Sequence, residues 1–327
     1  MVTGGSSLLA RRTVEALVGR GDDVVSLQRN RAPVDVRQVL ADIRNRAAVL
    51  DAARGCDAII HAAAKVGVVG TWEEYRSINI DGTEAVLAAA QQHGCRVVHV
   101  STPSVAHAGR SLVGEVASSP IIGRSGSFYA ESKARAELLA IAASSNDLPV
   151  VAIRPHLVWG PGDTQIVGRI VERARAGRLA LVGSGAALVD TTYIDNAASA
   201  VVAGLDAAVP GAVCAGKAYV ISNNEPRPVG QLFLAICEAA GVAVEPRHIP
   251  RKLAAVAGGT IEAIWRLASR VGRGVGEPPL TRFLAEQLGT AHWFDPRPAR
   301  DDLGWSPHVS IDDGMARLAE WFATGAR

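Results

Sequence analysis

Val2-Thr3-Gly4-Gly5-Ser6-Ser7-Leu8-Leu9-Ala10 runs from two strand-forming residues through a glycine turn into a helical pattern that continues over 11–19. A strand, a tight turn and a helix in that order bring the free N–H groups of a helix N-terminus beside a backbone that a pyrophosphate can approach closely. The spacing T-G-x-x-G-x-x-G would put its later glycines where this chain has Ser7 and Ala10, both small enough to keep the approach open. Cofactor contacts are therefore expected at Gly4, Gly5, Ser6, Ser7 and Leu8. The strand feeding the turn is short, so either the native start lies upstream of Met1 or this central strand is trimmed.

Outward from that turn, β-branched runs at 23–27, 58–61, 96–100 and 150–153 read as strands. Helical patterns at 47–54, 82–93 and 129–144 alternate with them. Such alternation predicts an α/β fold, a doubly wound parallel sheet of Rossmann type with helices on both faces. Residues 1–155 would form this dinucleotide-binding domain, with parts of 186–222 returning to it. After Pro155 glycine and proline become frequent, and 156–327 is expected to form mainly a smaller α+β substrate lobe over the sheet's carboxyl edge, where open α/β sheets bind ligands.

Composition narrows the function classes. Hydrophobic residues make up 48% of 327, charged residues 20%, and Lys+Arg 34 against Asp+Glu 32 gives a net charge of +2, which argues against disorder and against a nucleic-acid partner. The four cysteines Cys56, Cys95, Cys214 and Cys237 form no C-x-x-C pair, so neither a metal site nor a disulfide framework is expected. No secretory leader and no apolar run of ~20 residues is present, and a cytoplasmic protein is expected.

Tyr129-Ala130-Glu131-Ser132-Lys133 carries the chemistry. On a helix Tyr129 and Lys133 share a face, and an ammonium beside a phenol is expected to draw the tyrosine pKa down, making a proton donor for a carbonyl that becomes an alcohol. With four Tyr and four Lys in the chain, a chance Y-x-x-x-K is expected about 0.05 times. At the end of the second strand Leu27 is followed by Gln28-Arg29-Asn30-Arg31 rather than by an acid. An NAD site would put a carboxylate there for the ribose hydroxyls, whereas Arg29 suits a 2′-phosphate and Gln28 would not repel it, so NADP(H) is favoured over NAD(H).

Together these motifs resemble the extended short-chain dehydrogenase/reductase superfamily over almost the whole chain. The resemblance implies that Tyr129, Lys133, Thr102 and Asn79 are the catalytic group, with Thr102 bonding the substrate carbonyl and Ser101 as its alternative. It further implies cofactor contacts from Asp42 and Ile43 at the adenine, from Ala62, Ala63 and Ala64 after His61, from Lys133, and from Pro155, His156 and Val158 in the nicotinamide-side loop. His61 itself is read as structural. RPHLVWGPGD, VDTTYIDNAA, GEPPLTRF, WFD and DDLGWSP resemble the 3β-hydroxysteroid dehydrogenase branch, and most of all the bacterial reductases of 2-alkyl-3-oxoalkanoates in olefin biosynthesis.

The reading that follows is an NADPH-dependent reductase of a bulky lipophilic ketone, a 2-alkyl-3-oxo acid or related β-keto compound. Its rivals are a 3β-hydroxysteroid or sterol dehydrogenase, a nucleotide-sugar epimerase or dehydratase, and a non-catalytic NADP-sensing protein. Over 252–272, Leu253, Val256, Thr260, Ile264, Leu267 and Val271 recur at helical spacing opposite Arg266, Arg270 and Arg273, with Gly258-Gly259 as a break. That face is expected to roof a pocket for a small lipophilic substrate, the rival use being contact with a membrane surface or a pathway partner; a homodimer also fits. Arg169, Arg173, Arg175 and Arg178 read as a solvated helix face.

Overall fold

In a parallel sheet covered on both faces, successive side chains of each strand enter opposite cores, so the strands read as unbroken apolar runs. The computed structural model describes residues 1–67, 69–106, 110–123, 127–250 and 289–325, together with Leu253, Val256 and Ile261. Its central sheet has seven strands, β1 Val2–Thr3, β2 Val25–Gln28, β3 Arg37–Leu40, β4 Ala58–His61, β5 Arg96–Val100, β6 Val150–Pro155 and β7 Ala218–Ile221. They lie in the order β7-β6-β5-β4-β1-β2-β3, and all neighbours are parallel.

Helices cover both faces. Ile60, Val98 and Val151 pack with α1 Leu8–Gly19 and α7 Ile194–Ala207, while Ile59, Val97 and Val150 pack on the other side with α2 Arg46–Ala53, α4 Gly82–His93 and α5 Phe128–Ala142. Between α2 and α4 lie the short helix α3 Trp72–Tyr75 and a π-helical segment Arg76–Asp81. Hydroxyl and amide side chains set the helix starts, Ser7 accepting from Ala10 N, Asn45 from Ala48 N and Ser127 from Ala130 N. The cap at Ser7 is why α1 begins earlier than its apolar pattern suggests.

The edge strand β3 escaped the sequence pattern because Arg37 and Leu40 are exposed and an edge needs no continuous apolar run. The smaller lobe is built on a four-stranded sheet in the order Arg227–Pro228, Leu188–Val189, His292–Phe294, Leu112–Glu115. Helices α6 Val167–Arg175 and α8 Val229–Ala239, with Ile311–Ala323, share a core containing Trp159, Tyr193, Ile236 and Leu318.

The division at 155 needs correction in two places. Leu112–Glu115 pairs with His292–Phe294 in the smaller sheet, although it lies in the first half of the chain. Conversely, Arg297–Leu303 packs under the central sheet, with Leu303 and Trp305 in the core beside Leu205 and Tyr219. The Tyr219 hydroxyl fixes this return by donating to Asp302 Oδ2 over 2.6 Å. The amphipathic run over 252–272, apart from Leu253, Val256 and Ile261, and GEPPLTRF lie outside the described residues. Among the described residues no helix is long and apolar enough to cross a membrane.

Candidate active site

The opening turn sits where β1 is flanked by β2 on one side and β4 on the other. Gly4 has φ +76°, and a Cβ there would lie 2.8 Å from the Ala63 main chain; at Gly5 a Cβ would come within 2.1 Å of Ser26 Oγ. Both glycines are thus dictated by the closeness of the two neighbouring strands. Ser6 and Ser7 are exposed at the start of α1, and Ala10 is fully buried beneath them, so a small residue at 10 does what the family's third glycine does. This cradle of exposed turn and helix N-terminus fits a dinucleotide's pyrophosphate.

Around the cradle, Ala62, Ala63 and Ala64 are partly exposed, Leu8 faces the Gly162 loop, and Arg29 is exposed without an ion pair among the described residues. Asp42 lies near enough for the charge of Arg29 to favour its ionised form, but its main partner is Arg44, which donates from Nε and Nη2 over 2.8 Å each and holds the carboxyl down at about 2. Ile43 is buried against Gly82, which leaves only its main chain to a cofactor. Gln28 has a structural part. Its amide is buried beneath the turn, accepting from Ser26 Oγ at 2.6 Å and donating to Gln38 Oε1 at 2.8 Å, so it is a structural polar group.

Below the cradle runs a hydrogen-bond chain with one consistent direction. Ala63 N–H donates to Thr3 Oγ1 (3.2 Å), Thr3 to His61 Nδ1 (2.8 Å), His61 Nε2 to Thr83 Oγ1 (3.0 Å), and Thr83 to the Asn79 carbonyl (2.7 Å). Every hydroxyl both gives and receives, which fixes His61 as the neutral Nε2–H tautomer. Burial, reinforced by the Lys133 charge, pushes its pKa down to about 3. The structural reading of His61 rests on this chain.

On α5, Tyr129, Lys133 and Glu137 recur every four residues on one face. The Tyr129 phenol lies beside Thr102, whose Oγ1 is 3.3 Å from Ser104 Oγ. Burial pushes the Tyr129 phenol up, and the neighbouring Thr102 hydroxyl only partly opposes it. This reverses the expected direction. The physical reason is burial, which Lys133 does not offset, its Nζ donating to the Val100 carbonyl at 2.7 Å and sitting 3.5 Å from His99 Nε2. Lys133 is itself buried and brought down to about 8, with Glu137 opposing that fall. Ser101, the alternative to Thr102, has a buried hydroxyl with no hydrogen-bond partner among the described residues.

Asn79 lies within the π-helical segment, a local widening often found at functional sites. Its amide bonds both main-chain groups of Lys65, at 2.7 Å and 3.0 Å, and donates to Ser132 Oγ at 2.9 Å. Ser132 in turn donates to the Tyr129 carbonyl, so Asn79 steadies the turn of α5 that carries the tyrosine. Lower on the same helix, Glu137 and Arg154 form a fully buried pair with bonds of 2.9 Å and 2.5 Å, and Arg154 also donates to the Ser118 carbonyl. Sequence reasoning missed Glu137, although its spacing from Tyr129 and Lys133 was the available signal.

In the nicotinamide-side loop Pro155 closes β6, and His156 Nδ1 donates to the Asp190 carbonyl at 2.6 Å. The His156 ring meets Phe294 edge-on at 5.1 Å, and Val158 pairs with Thr192. Beyond them the smaller lobe encloses a cavity of about 520 Å³ lined by Ile166, Ile170, Leu179, Leu232, Phe233 and Ile236 among others. Arg169, Arg173 and Arg178 line it too, which corrects the reading of that run as a solvated face; only Arg175 among the four lies away from it.

The sequence and the fold have counterparts. The model of the NAD dependent epimerase/dehydratase family matches residues 1–221. A 2-alkyl-3-oxoalkanoate reductase of Stenotrophomonas maltophilia (strain K279a) is 45% identical, with 97% of each chain covered. A second protein of that name, from Shewanella oneidensis, is 38% identical over 97% of this chain and 84% of its own. A 3-beta-hydroxysteroid dehydrogenase of Mycolicibacterium neoaurum is 29% identical over 98% of this chain and 90% of its own. Among solved structures, MoeE5 in complex with UDP-glucose and NAD has the same fold, with a TM-score of 0.74 at 22% identity over 99% of this chain and 98% of that one. With its seven-stranded parallel sheet and glycine cradle, the chain belongs to the NAD dependent epimerase/dehydratase family of extended short-chain dehydrogenases/reductases, and is an NAD(P)-dependent oxidoreductase.

Proposed function

We propose that the protein is an NADP(H)-dependent ketoreductase that reduces a bulky lipophilic ketone, a 2-alkyl-3-oxo acid or related β-keto compound, to the alcohol. The observation that carries this reading is the meeting of Tyr129 with Thr102 just beyond the carboxyl end of β5, on the face of α5 that also bears Lys133. A phenol and a hydroxyl side by side can both reach one carbonyl oxygen, the arrangement that carbonyl reduction requires. The names of the two reductase relatives and the aliphatic cavity support the substrate class.

A bound nicotinamide supplies the hydride that adds to the carbonyl carbon. Thr102 donates to the carbonyl oxygen and stabilises the charge that grows on it, while Tyr129 transfers its phenolic proton to that oxygen, completing the C–H and O–H of the alcohol. Lys133, charged below about pH 8, would bond the cofactor ribose and, turned from the Val100 carbonyl, stabilise the tyrosinate left behind. Asn79 holds the helix turn through Ser132. The cradle residues Gly4, Gly5, Ser6, Ser7 and Leu8, with the main chain of Asp42, Ile43, Ala62, Ala63, Ala64, Pro155, His156 and Val158, would hold the dinucleotide, and Arg29 its 2′-phosphate.

The same reading makes it a cytoplasmic enzyme acting on a small lipophilic molecule, with no nucleic-acid partner, and compatible with a homodimer and with contact to a membrane surface or pathway partner. The test compares NADPH oxidation on a long-chain 2-alkyl-3-oxo acid with NAD(P)⁺ reduction on a 3β-hydroxysteroid and turnover of a nucleotide sugar. Preferred turnover of the β-keto acid is expected. Exclusive turnover of the steroid or of the sugar nucleotide would replace this reading with the corresponding rival.

A further inference from the structure

Two described non-glycine residues have positive φ, Asn224 at 58° and Leu157 at 44°. Asparagine tolerates the left-handed region because its short amide bonds locally, but a leucine there brings its Cβ against the following carbonyl. The strain at Leu157 is held by its neighbours. His156 N–H donates to the Ile221 carbonyl at 2.9 Å, Thr192 Oγ1 donates to the His156 carbonyl at 2.7 Å, and Thr192 N–H reaches the Leu157 carbonyl at 3.3 Å. The backbone is therefore fixed in a form that glycine or asparagine would adopt more easily, and the leucine side chain is what distinguishes the residue present.

That side chain lines the cavity of the smaller lobe. Leu157 directly follows His156, so it stands where the carboxyl end of the central sheet meets the cavity wall. Around it Trp159 Nε1 donates to Thr191 Oγ1 at 2.9 Å, and the remaining wall is mostly apolar, with the half-buried Arg169 and Arg173 as its charged members. Gln165, Glu172 and Arg178, the exposed lining residues, mark the mouth. A mostly apolar lining with a polar mouth suits an unbranched alkyl chain.

We infer that the cavity seats a long alkyl arm of the substrate and that Leu157 is the specificity-determining residue, its isobutyl group forming the wall against which that arm packs. This rests on the ketoreductase reading for the identity of the reacting group, but not for the binding of the chain.

The experiment measures displacement of the fluorescent polyene cis-parinaric acid by saturated fatty acids of rising length, in the wild type and in Leu157→Gly and Leu157→Asn, with thermal midpoints and NADPH affinity recorded for each. Both substitutions suit the left-handed backbone, so the midpoints should be equal to the wild type or higher, and NADPH affinity unchanged. Leu157→Gly should move the preferred chain toward greater length, and Leu157→Asn should weaken chain binding by about tenfold, the loss expected from one or two methylene contacts and an added amide. Unchanged length preference and affinity in both variants would overturn the inference. A wild type that binds the probe with this variant dependence but reduces no β-keto compound leaves the cavity assignment standing and removes the ketoreductase reading. One that reduces such compounds yet binds no alkyl probe does the reverse.

Discussion

The surroundings of Tyr129 and the cavity of the smaller lobe follow opposite physical rules. Around Tyr129 each position is fixed by directional bonds, as in the chain Thr3–His61–Thr83–Asn79 and the link from Asn79 through Ser132 to α5. In the cavity Ile166, Ile170, Leu232 and Ile236 impose only volume and apolarity. A directional network tolerates one arrangement of reacting atoms, whereas an aliphatic wall accepts any chain that fills it. Reaction type therefore belongs to the first region and substrate choice to the second.

The sharpest way to break that contrast is Tyr129→Phe, which should lower turnover by about 10²–10⁴ while leaving NADPH binding intact. Single-turnover kinetics beside cofactor titration reads this, and near-normal rates would remove Tyr129 from the chemistry. Next comes Arg154→Met, which strands the buried Glu137 carboxylate and should cost about 3–5 kcal/mol in urea unfolding. The double change Glu137→Met with Arg154→Met should recover much of that loss; if it does not, the pair matters for more than charge compensation.

Arg29→Ala should weaken NADPH by about 1.5–3 kcal/mol and NADH hardly at all, as judged by calorimetry. A native preference for NADH would refute the assignment of Arg29. The smallest effect is on pH-dependent stability. His61 and His99 are held neutral, their pKa values depressed below 6.5, so their contribution is complete above pH 6.5 and is lost as pH falls below it, at about 1.4 kcal/mol per pH unit for each. Asp190, raised to about 6 by burial, acts in the opposite sense, since its contribution is present at low pH and is lost as pH rises through 6. Two histidines outweigh one aspartate, and unfolding free energies should fall from pH 6.5 to 5; a flat profile would contradict the neutral His61 chain.

The order of strands and helices was legible because parallel strands buried on both faces leave plain apolar runs, as at 58–61 and 96–100. The edge strand β3 and the return of Arg297–Leu303 left no such trace, since one is polar and the other is defined by a partner far away in sequence. In the site, Tyr129 and Lys133 were visible from spacing, but the direction of the tyrosine's shift is set by its burial, which no spacing encodes. Gln28 shows the same limit: its position told only that no acid stands there, and the three-dimensional closeness of Gly5 reveals its packing role. The longer strings that carried the branch resemblance proved largely to be joints, such as Trp159 bonded to Thr191, Asp163 capping α6 and Asp302 bonded to Tyr219.

Leu112–Glu115 and Arg297–Leu303 exchange sides, each completing the layer built mainly by the opposite end of the chain. Neither layer can close its pairings until remote stretches have met, so the ordering entropy of long loops precedes most of the stabilising contacts. Folding should be slow and all-or-none, and severing the backbone between the halves would leave two incomplete sheets rather than two domains. Evolution or engineering can thus reshape the cavity residue by residue, but exchanging the whole lobe for another would also have to replace the strand and the helix that each half lends to the other.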